Sequence, residues 1–545
     1  MAASSTATLK QTGAANARPR FRAFPWVIAG LVLGIFVAAP AAGFLSLMAG
    51  GALSNVLAFS PIQLNAMREM SLLLAGIAVL AGSMGLISAW LVSIYDFPLR
   101  RLIEVALVLP LAFPTYLAAF VAVDLLDFFG PVQSLWRWLI GAKTLADYRF
   151  FEVRSLPGAI IVLSLVLFPY VYVPCRLVFS QGGRNVIDAA RLLGARGAAL
   201  FLKVGAPLAM PAILAGLVLA MLEAINDIGA TEHLGVSSFS VVIRDLWLNR
   251  FDLPSAARLA GLLLGIVALL VVVEARLGRR KSASPRNVAH PRPIRLGGWQ
   301  AVLACFLTGM PVLLGFVIPA GFLVWRAFLY AGQQAAWQEF ALASLSSLTL
   351  ATGVTAAVLV LSAALAIAMR IAPRLAVSNR IAAFGYAIPG TVLVLALFPV
   401  FRTLDDALSL VGSGAAISGT LGAIILALCV RFLGLGASQA GFALRRLPRS
   451  IDWVARIHGM NDLRLALRVH LPAMMPGLML GGTLIFIDAV KELPATLLLR
   501  PLNFETLATR AYAQASAGAF EHAALDSLAI LALSGIAALM LIRKR

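Results

Sequence analysis

The sequence predicts an all-α polytopic membrane protein of about twelve transmembrane helices, laid out as two tandem six-helix domains. Three features carry that expectation. Of the 545 residues, 61% are hydrophobic and only 12% charged, a balance too apolar for a water-soluble fold. The apolar stretches are continuous, as helices crossing about 30 Å of hydrocarbon in about 20 residues require, whereas a barrel strand alternates over about 10. Finally, the chain repeats itself: NVIDAARLLGARGAALFLKVGAPLAMPA at 185–212 returns as SIDWVARIHGMNDLRLALRVHLPAMMPG at 450–477. Gly194 maps to Gly459, Pro207 to Pro472 and Pro211 to Pro476, each a shift of 265 positions.

Residues 1–24, rich in Ala, Ser and Thr, read as a flexible cytoplasmic lead. The run 25–48 follows Arg18, Arg20 and Arg22 and is longer than a signal-peptide core of about 7–15 residues, so it reads as an uncleaved first span. Further runs lie at 70–95, 101–124, 157–180, 207–228 and 255–275, then at 300–329, 343–369, 380–401, 415–436, 472–490 and 522–542. Prolines 110, 114 and 389 are expected to kink the third and ninth spans.

Alternating sides from an inside N-terminus gathers the cations on one face. Inside segments carry Arg100 and Arg101; Arg184, Arg191, Arg196 and Lys203; Arg370, Arg374 and Arg380; Arg445, Arg446, Arg449, Arg456, Arg464 and Arg468; and the final Arg543, Lys544 and Arg545. Outside segments are nearly balanced, with Arg137, Lys143, Arg149 and Arg154 against Asp127, Asp147 and Glu152. This is the positive-inside pattern, and it predicts both termini in the cytoplasm. The net charge of +20 is then a property of loops, with no compact basic domain to receive nucleic acid.

Between the sixth and seventh runs, residues 276–295 are basic, contain Pro and Ser, and lack an acid, the composition of a cytoplasmic linker. The expected organisation is a first domain at 25–276, a linker at 277–298 and a second domain at 299–545. Six spans return the chain to its starting side, so the two domains share one orientation. Cys175, Cys305 and Cys429 lie far apart without metal-ligand spacing and read as small buried hydrophobes. Histidines 233, 290, 458, 470 and 522 are scattered, with His233 read as a solvated loop residue, and Arg431 is expected to snorkel to the inner interface.

Two motif pairs carry the functional reading. In the first handle Asp188, Ala189, Ala190 and Arg191 precede Gly194, so small residues leave a shallow helical face and glycine permits a sharp turn. The second handle has Asp452, Ala455, Arg456 and Gly459, with Trp453 standing where the acid of the first copy would fall. The other pair is Glu223-Ala-Ile-Asn-Asp227-Ile-Gly-Ala-Thr231 and Asp488-Ala-Val-Lys491-Glu492-Leu-Pro-Ala-Thr496, again 265 positions apart. Acids four apart share a helical face. A charge at mid-bilayer costs about 2.5–3.5 kcal/mol, so these groups point to an aqueous path or to a partner such as Lys491. Counting about 20 residues from Pro472 places Glu492 near the external interface. Two roles stay open: lining a substrate path, or capping helices and pairing with Lys491 and Arg500 to shape an outer gate.

The first handle resembles the EAA loop of type I permeases of binding-protein-dependent ABC importers, whose pattern is an acid, two alanines, three residues and a glycine. KELPATLLLRP at 491–501 resembles the iron(III) subgroup of fused permeases. The resemblance implies two type I permease domains in one chain and coupling loops seated in clefts of two copies of an ATPase subunit. It also implies a periplasmic substrate-binding protein and a bacterial inner membrane. Ferric iron is the implied cargo, with thiamine, another small organic ion or an oxyanion as alternatives. No Gly-x-x-x-x-Gly-Lys-Ser/Thr stretch occurs, so the chain itself is expected to bind no cofactor, and ATP with Mg belongs on the partner. An ion-coupled secondary transporter, with Glu223, Asp227, Asp488 and Glu492 carrying the ion, is the rival reading. Those families hold ions at mid-membrane on broken helices.

Overall fold

The computed structural model describes residues 24–49, 59–180, 183–278, 293–330, 334–410 and 416–543. The expected lead 1–24, save its last residue, and positions 279–292 of the expected linker lie outside the described residues. The chain runs α1 Phe24–Leu47, α2 Pro61–Ile94, β1 Tyr95–Asp96, α3 Arg100–Ala106, α4 Thr115–Leu126, α5 Pro131–Ile140, α6 Leu156–Leu167 and α7 Pro169–Ser180. Then come α8 Gly183–Leu192, α9 Gly197–Leu200, α10 Ala206–Asn226, α11 Ile228–His233, α12 Phe239–Arg244 and α13 Leu253–Gly278. After β2 Ile294–Arg295 follow α14 Gly298–Val312, α15 Ile318–Tyr330, α16 Gln334–Ile371, α17 Ala376–Ala387, α18 Gly390–Leu410 and α19 Leu421–Arg445. The last elements are α20 Arg449–Ile457, α21 Asp462–Leu465, α22 Leu471–Val490, α23 Pro494–Leu499, α24 Leu507–Ser516 and α25 Phe520–Arg543.

Among the described residues nine helical stretches are long and apolar enough to cross a bilayer, or ten if the pair α6 and α7, bent by 42°, is one span. Of the twelve expected spans, 380–401 and 522–542 have no counterpart in the counted set, 157–180 is the bent pair, and 101–124 is replaced by a stretch at Thr115–Ile140. A proline lacks the N–H that an interior turn needs. The expected span 101–124 is therefore split into α3, a 3-10 turn at Leu109–Ala112 containing Pro110, and α4, which begins after Pro114. The expected span 380–401 is likewise split at Pro389 into α17 and α18. The expected span 522–542 is one helix, α25, outside the counted set.

Local chemistry explains where the long helices begin. Ser60 caps α2, its hydroxyl accepting from Gln63 N at 3.4 Å while Gln63 Oε1 accepts from Ser60 N at 2.8 Å, and Pro61 fills the first turn. The sequence repeat is also a repeat of elements. The helices α8, α9 and α10, with a π-turn at Phe201–Gly205, return as α20, α21 and α22 with a π-turn at Ala466–His470. The same shift of 265 positions carries Phe201 to Ala466 and Gly205 to His470.

The first helices of the two repeats cross over. α1 packs on α16, α17 and α18, and α14 and α15 pack on α2 and α4. Contact is close enough to exclude side chains: a Cβ on Gly43 would lie 2.0 Å from the carbonyl oxygen of Ala396, and one on Gly315 would lie 2.2 Å from that of Leu165. Small residues are how helices approach in a medium that offers no hydrophobic drive. A short parallel pairing, Tyr95 with Ile294 and Asp96 with Arg295, ties the described end of the linker to the end of α2. Gly43→Leu is expected to displace the α18 backbone, an overpacking cost of about 1–3 kcal/mol or more. A lowered thermal midpoint and loss of the monodisperse peak in detergent gel filtration would report it.

Candidate functional site

One polar cavity, about 70 Å³, lies where the ends of α10, α17 and α22 meet the start of α4 and the middle of α19. All five acid or lysine positions singled out in the sequence line it: Glu223, Asp227, Asp488, Lys491 and Glu492. Their local geometry differs from one shared helical face. α10 stops at Asn226, and Asp227 adopts extended backbone to cap α11, its Oδ1 accepting from Ala230 N at 2.9 Å. α22 stops at Val490, and Glu492 caps α23 more fully, with Oε1 accepting from Ala495 N at 2.9 Å and Oε2 from Thr496 N at 3.0 Å and Thr496 Oγ1 at 2.8 Å. The helix break itself turns Asp227 and Glu492 into the cavity.

Of the expected ion-pair partners, Lys491 engages one of the acids and Arg500 engages none of them. Lys491 Nζ meets Asp488 Oδ1 at 3.1 Å, and Tyr386 donates to Asp488 Oδ2 at 3.1 Å. Glu492, however, pairs with Arg431 at 3.2 Å, while Arg500 pairs with Glu505. Arg431 therefore does not snorkel. It sits ten residues into the 25-residue α19, is 7% exposed and turns to Glu492. The same pairing sets Glu492 beside the interior of α19.

Residues the sequence did not single out complete the site. Tyr116, Tyr170, Asn226 and Phe432 line it, and Asn226 Oδ1 accepts from Gly390 N at 2.9 Å, joining the two repeats. Their signal is three-dimensional, except for Arg431, whose charge inside an apolar run could have been read as a buried partner. Four carboxylates face two cations, and both cations are already paired with carboxylates. The cavity's excess charge is negative, and its remaining donors are mainly hydroxyl oxygens. Among the described residues no three His, Cys, Asp or Glu side chains converge as a metal cage. His233 is neither cavity-lining nor a solvated loop residue, packing edge-on against Phe120 and Phe520 at 4.7 and 5.7 Å.

The handle residues form two separate knuckles, each at the far end of its long helix, α10 or α22. With 20 or 21 residues in those helices, the knuckles stand about 30 Å from the cavity along the axis. Both end in the same turn. Gly194, at φ +93°, donates to Arg191 O at 3.0 Å and Ala195 N to Ala190 O at 3.0 Å; Gly459, at φ +77°, donates to Arg456 O at 2.9 Å and Met460 N to Ala455 O at 3.1 Å. This is the left-handed helix end that glycine permits. A Cβ on either glycine would meet nothing within 4 Å, so the requirement is backbone conformation. Ala189 is exposed, Ala455 is buried, and Pro207 and Pro472 sit in the first turns of α10 and α22.

The two knuckles differ at their base. Asp188 pairs with Arg191 at 3.3 Å on its own helix. Asp452 is gripped by Arg370, with Nε to Oδ2 at 2.7 Å and Nη2 to Oδ1 at 2.9 Å, and by His470 Nε2 at 3.1 Å. Partial burial pushes the Asp452 pKa up, but the bonds from Arg370 and His470 outweigh it and hold the group below the usual carboxylate range. A depressed folded pKa stabilises the fold above the unfolded value of about 3.9 and is lost as pH falls through the lowered value.

Residues 78–277 match the family described as binding-protein-dependent transport system inner membrane component. The chain is similar to the Fe(3+)-transport system permease protein FbpB 2 of Haemophilus influenzae, 24% identical over 494 residues that cover 89% of this chain and 91% of the relative. It is also similar to the sulfate transport system permease protein CysT of Salmonella typhimurium, 27% identical over 40% of this chain and 79% of that one. The molybdenum transport system permease protein ModB of Escherichia coli is 29% identical over 30% of this chain and 68% of its own. Arg431→Met should leave Glu492 as an uncompensated buried charge and destabilise the protein by about 3–5 kcal/mol. A thermal unfolding midpoint in detergent equal to that of the parent would contradict this.

Proposed function

On the premise that the chain belongs to the binding-protein-dependent inner-membrane transport family, we propose that it is the entire membrane-spanning part of an ABC importer, two permease domains in one polypeptide, and that its cargo is ferric iron. The family makes it a multi-pass inner-membrane component that works with an ATPase and a periplasmic binding protein. In this reading two ATPase subunits grip the knuckles around Gly194 and Gly459 from the cytoplasm. Their closure on ATP moves α10 and α22 as levers, and the helix ends at Asn226 and Val490 transmit that motion to the cavity. The chain's own residues supply no nucleotide site; they supply levers, a path and a gate.

The observation that carries the cargo assignment is the negative excess of the cavity. An oxyanion entering it would meet four carboxylates and two cations already engaged, whereas hard carboxylate and phenol oxygens suit a hard trivalent ion in passage. The relative named for iron spans nearly the whole chain, while those named for sulfate and molybdenum align with less than half of it. In this reading Asp227 and Glu492 both cap helices and edge the path, and Glu223 and Asp488 meet the ion.

In proteoliposomes with ATPase and binding protein, ATP-dependent accumulation of radiolabelled ferric iron is expected, without accumulation of sulfate or molybdate. Uptake of an oxyanion in place of iron would overturn the cargo assignment. Glu223→Gln combined with Asp488→Asn should lower iron uptake about tenfold, roughly 1.4 kcal/mol at the limiting barrier, with the ATPase still attached. Gly194→Trp or Gly459→Trp fills space empty in this chain, so it should weaken ATPase attachment and uncouple transport while leaving the thermal midpoint within a few degrees; unchanged uptake would remove the knuckles from the mechanism.

A further inference from the structure

We infer that the two knuckles engage their ATPase subunits by different chemistry, and that the second docks through an apolar knob formed by Trp453 and Ile457 while its acid faces inward as an anchor. This rests on the reading of the knuckles as ATPase docking elements and states what one of them presents. The first acid, Asp188, stands six residues before its glycine, and Asp452 stands seven before its own. One residue along an α-helix is a rotation of about 100°. That rotation takes the carboxylate from the flank of the helix to its inner face.

The consequence is visible on both sides of α20. Inward, Asp452 is held by Arg370 and His470, and Arg370 also donates to the carbonyls of Leu444 at 2.8 Å, Leu447 at 3.0 Å and Pro448 at 3.2 Å. One guanidinium thereby fastens the end of α16, the end of α19 and the knuckle into a single node. Outward, Trp453 and Ile457, four residues apart on one face, are 51% and 81% exposed. Arg449 and Arg456 line the same surface pocket as Trp453, and Arg445, Arg446, Arg464 and Arg468 of the flanking segments are exposed. The complementary surface is an apolar cleft rimmed by carboxylates, and this is the chemistry the second ATPase subunit should offer.

The first knuckle is built differently at the position that matches His470. Gly205 stands where His470 stands, and a Cβ there would lie 2.5 Å from Trp90, which packs edge-on against Phe179 and Phe201 at 5.3 and 5.4 Å. Its base is aromatic, its exposed apolar residues are Leu192 and Leu193 beside the turn, and its acid remains on the docking helix next to Arg191. Two ATPase subunits of one sequence would thus meet a lever locked by charge and a lever seated on rings.

The test uses the full chain with its ATPase in detergent, measuring ATPase affinity at about 0.1 and about 0.5 M salt, between which the screening length falls about twofold. Trp453→Ala with Ile457→Ala should lower affinity about tenfold at both salts, and Trp453→Leu should keep it. Asp452→Asn should keep the ATPase attached but lower iron accumulated per ATP hydrolysed, with partial rescue by Asp452→Glu. If Leu192→Ala with Leu193→Ala weakens attachment while the Trp453 and Ile457 changes do not, the docking reading survives and this inference falls. Indifference of affinity to both pairs sinks the docking reading itself. Quenching of Trp453 fluorescence by brominated lipid in the assembled complex would assign the knob to the bilayer and overturn the inference, as would salt-dependent detachment in Asp452→Asn.

Discussion

A single buried carboxylate, Glu492, holds the centre of this molecule together. It takes Arg431 from the middle of α19 and three hydrogen bonds from the start of α23, so one group satisfies a buried cation and two helix-end N–H donors that lipid cannot solvate. Were the cation missing, the desolvation of the carboxylate would be uncompensated; were the carboxylate missing, the guanidinium would be. The break between α22 and α23 is therefore stable only because charge and backbone are satisfied together, and that break forms one wall of the cavity. Asp227 does the lighter version of the same task in the first repeat, capping α11 without a guanidinium.

Mechanical continuity follows from the same economy of polar groups. Each long helix, α10 or α22, carries a knuckle at one end and a cavity-lining break at the other, with mainly apolar residues between. The crossover of α1 and of α14 and α15 onto the opposite repeat makes the two repeats one interlocked body. Close contacts at Gly43 and Gly315 leave no room for a side chain there.

The repeats are alike in backbone and unlike in chemistry. Both carry a π-turn ahead of the long helix and a left-handed glycine beyond the knuckle, because those are backbone demands that a duplicated chain must keep. The side chains at the base diverged into a ring cluster around Trp90 in one copy and an ionic node around Arg370 in the other. Either can fix a helix to its neighbours, one by packing and one by charge.

The sequence by itself determined the helical membrane class, the duplicated knuckles and the membership of Glu223, Asp227, Asp488, Lys491 and Glu492 in one site. These rest on composition, on a fixed spacing and on the cost of charge in lipid, all local to the chain. Only the tertiary structure decided that Arg431 is the partner of Glu492, that Tyr386 reaches Asp488, that Asn226 bonds Gly390 and that Asp452 turns inward to Arg370. Residue counting failed at the prolines, where apolar runs that look like whole spans are broken and re-aimed, so partners could not be read from position along the chain. Pairing of charges 61 and 82 positions apart is set by which helices pack side by side, and neighbours in space leave no mark on hydropathy or spacing.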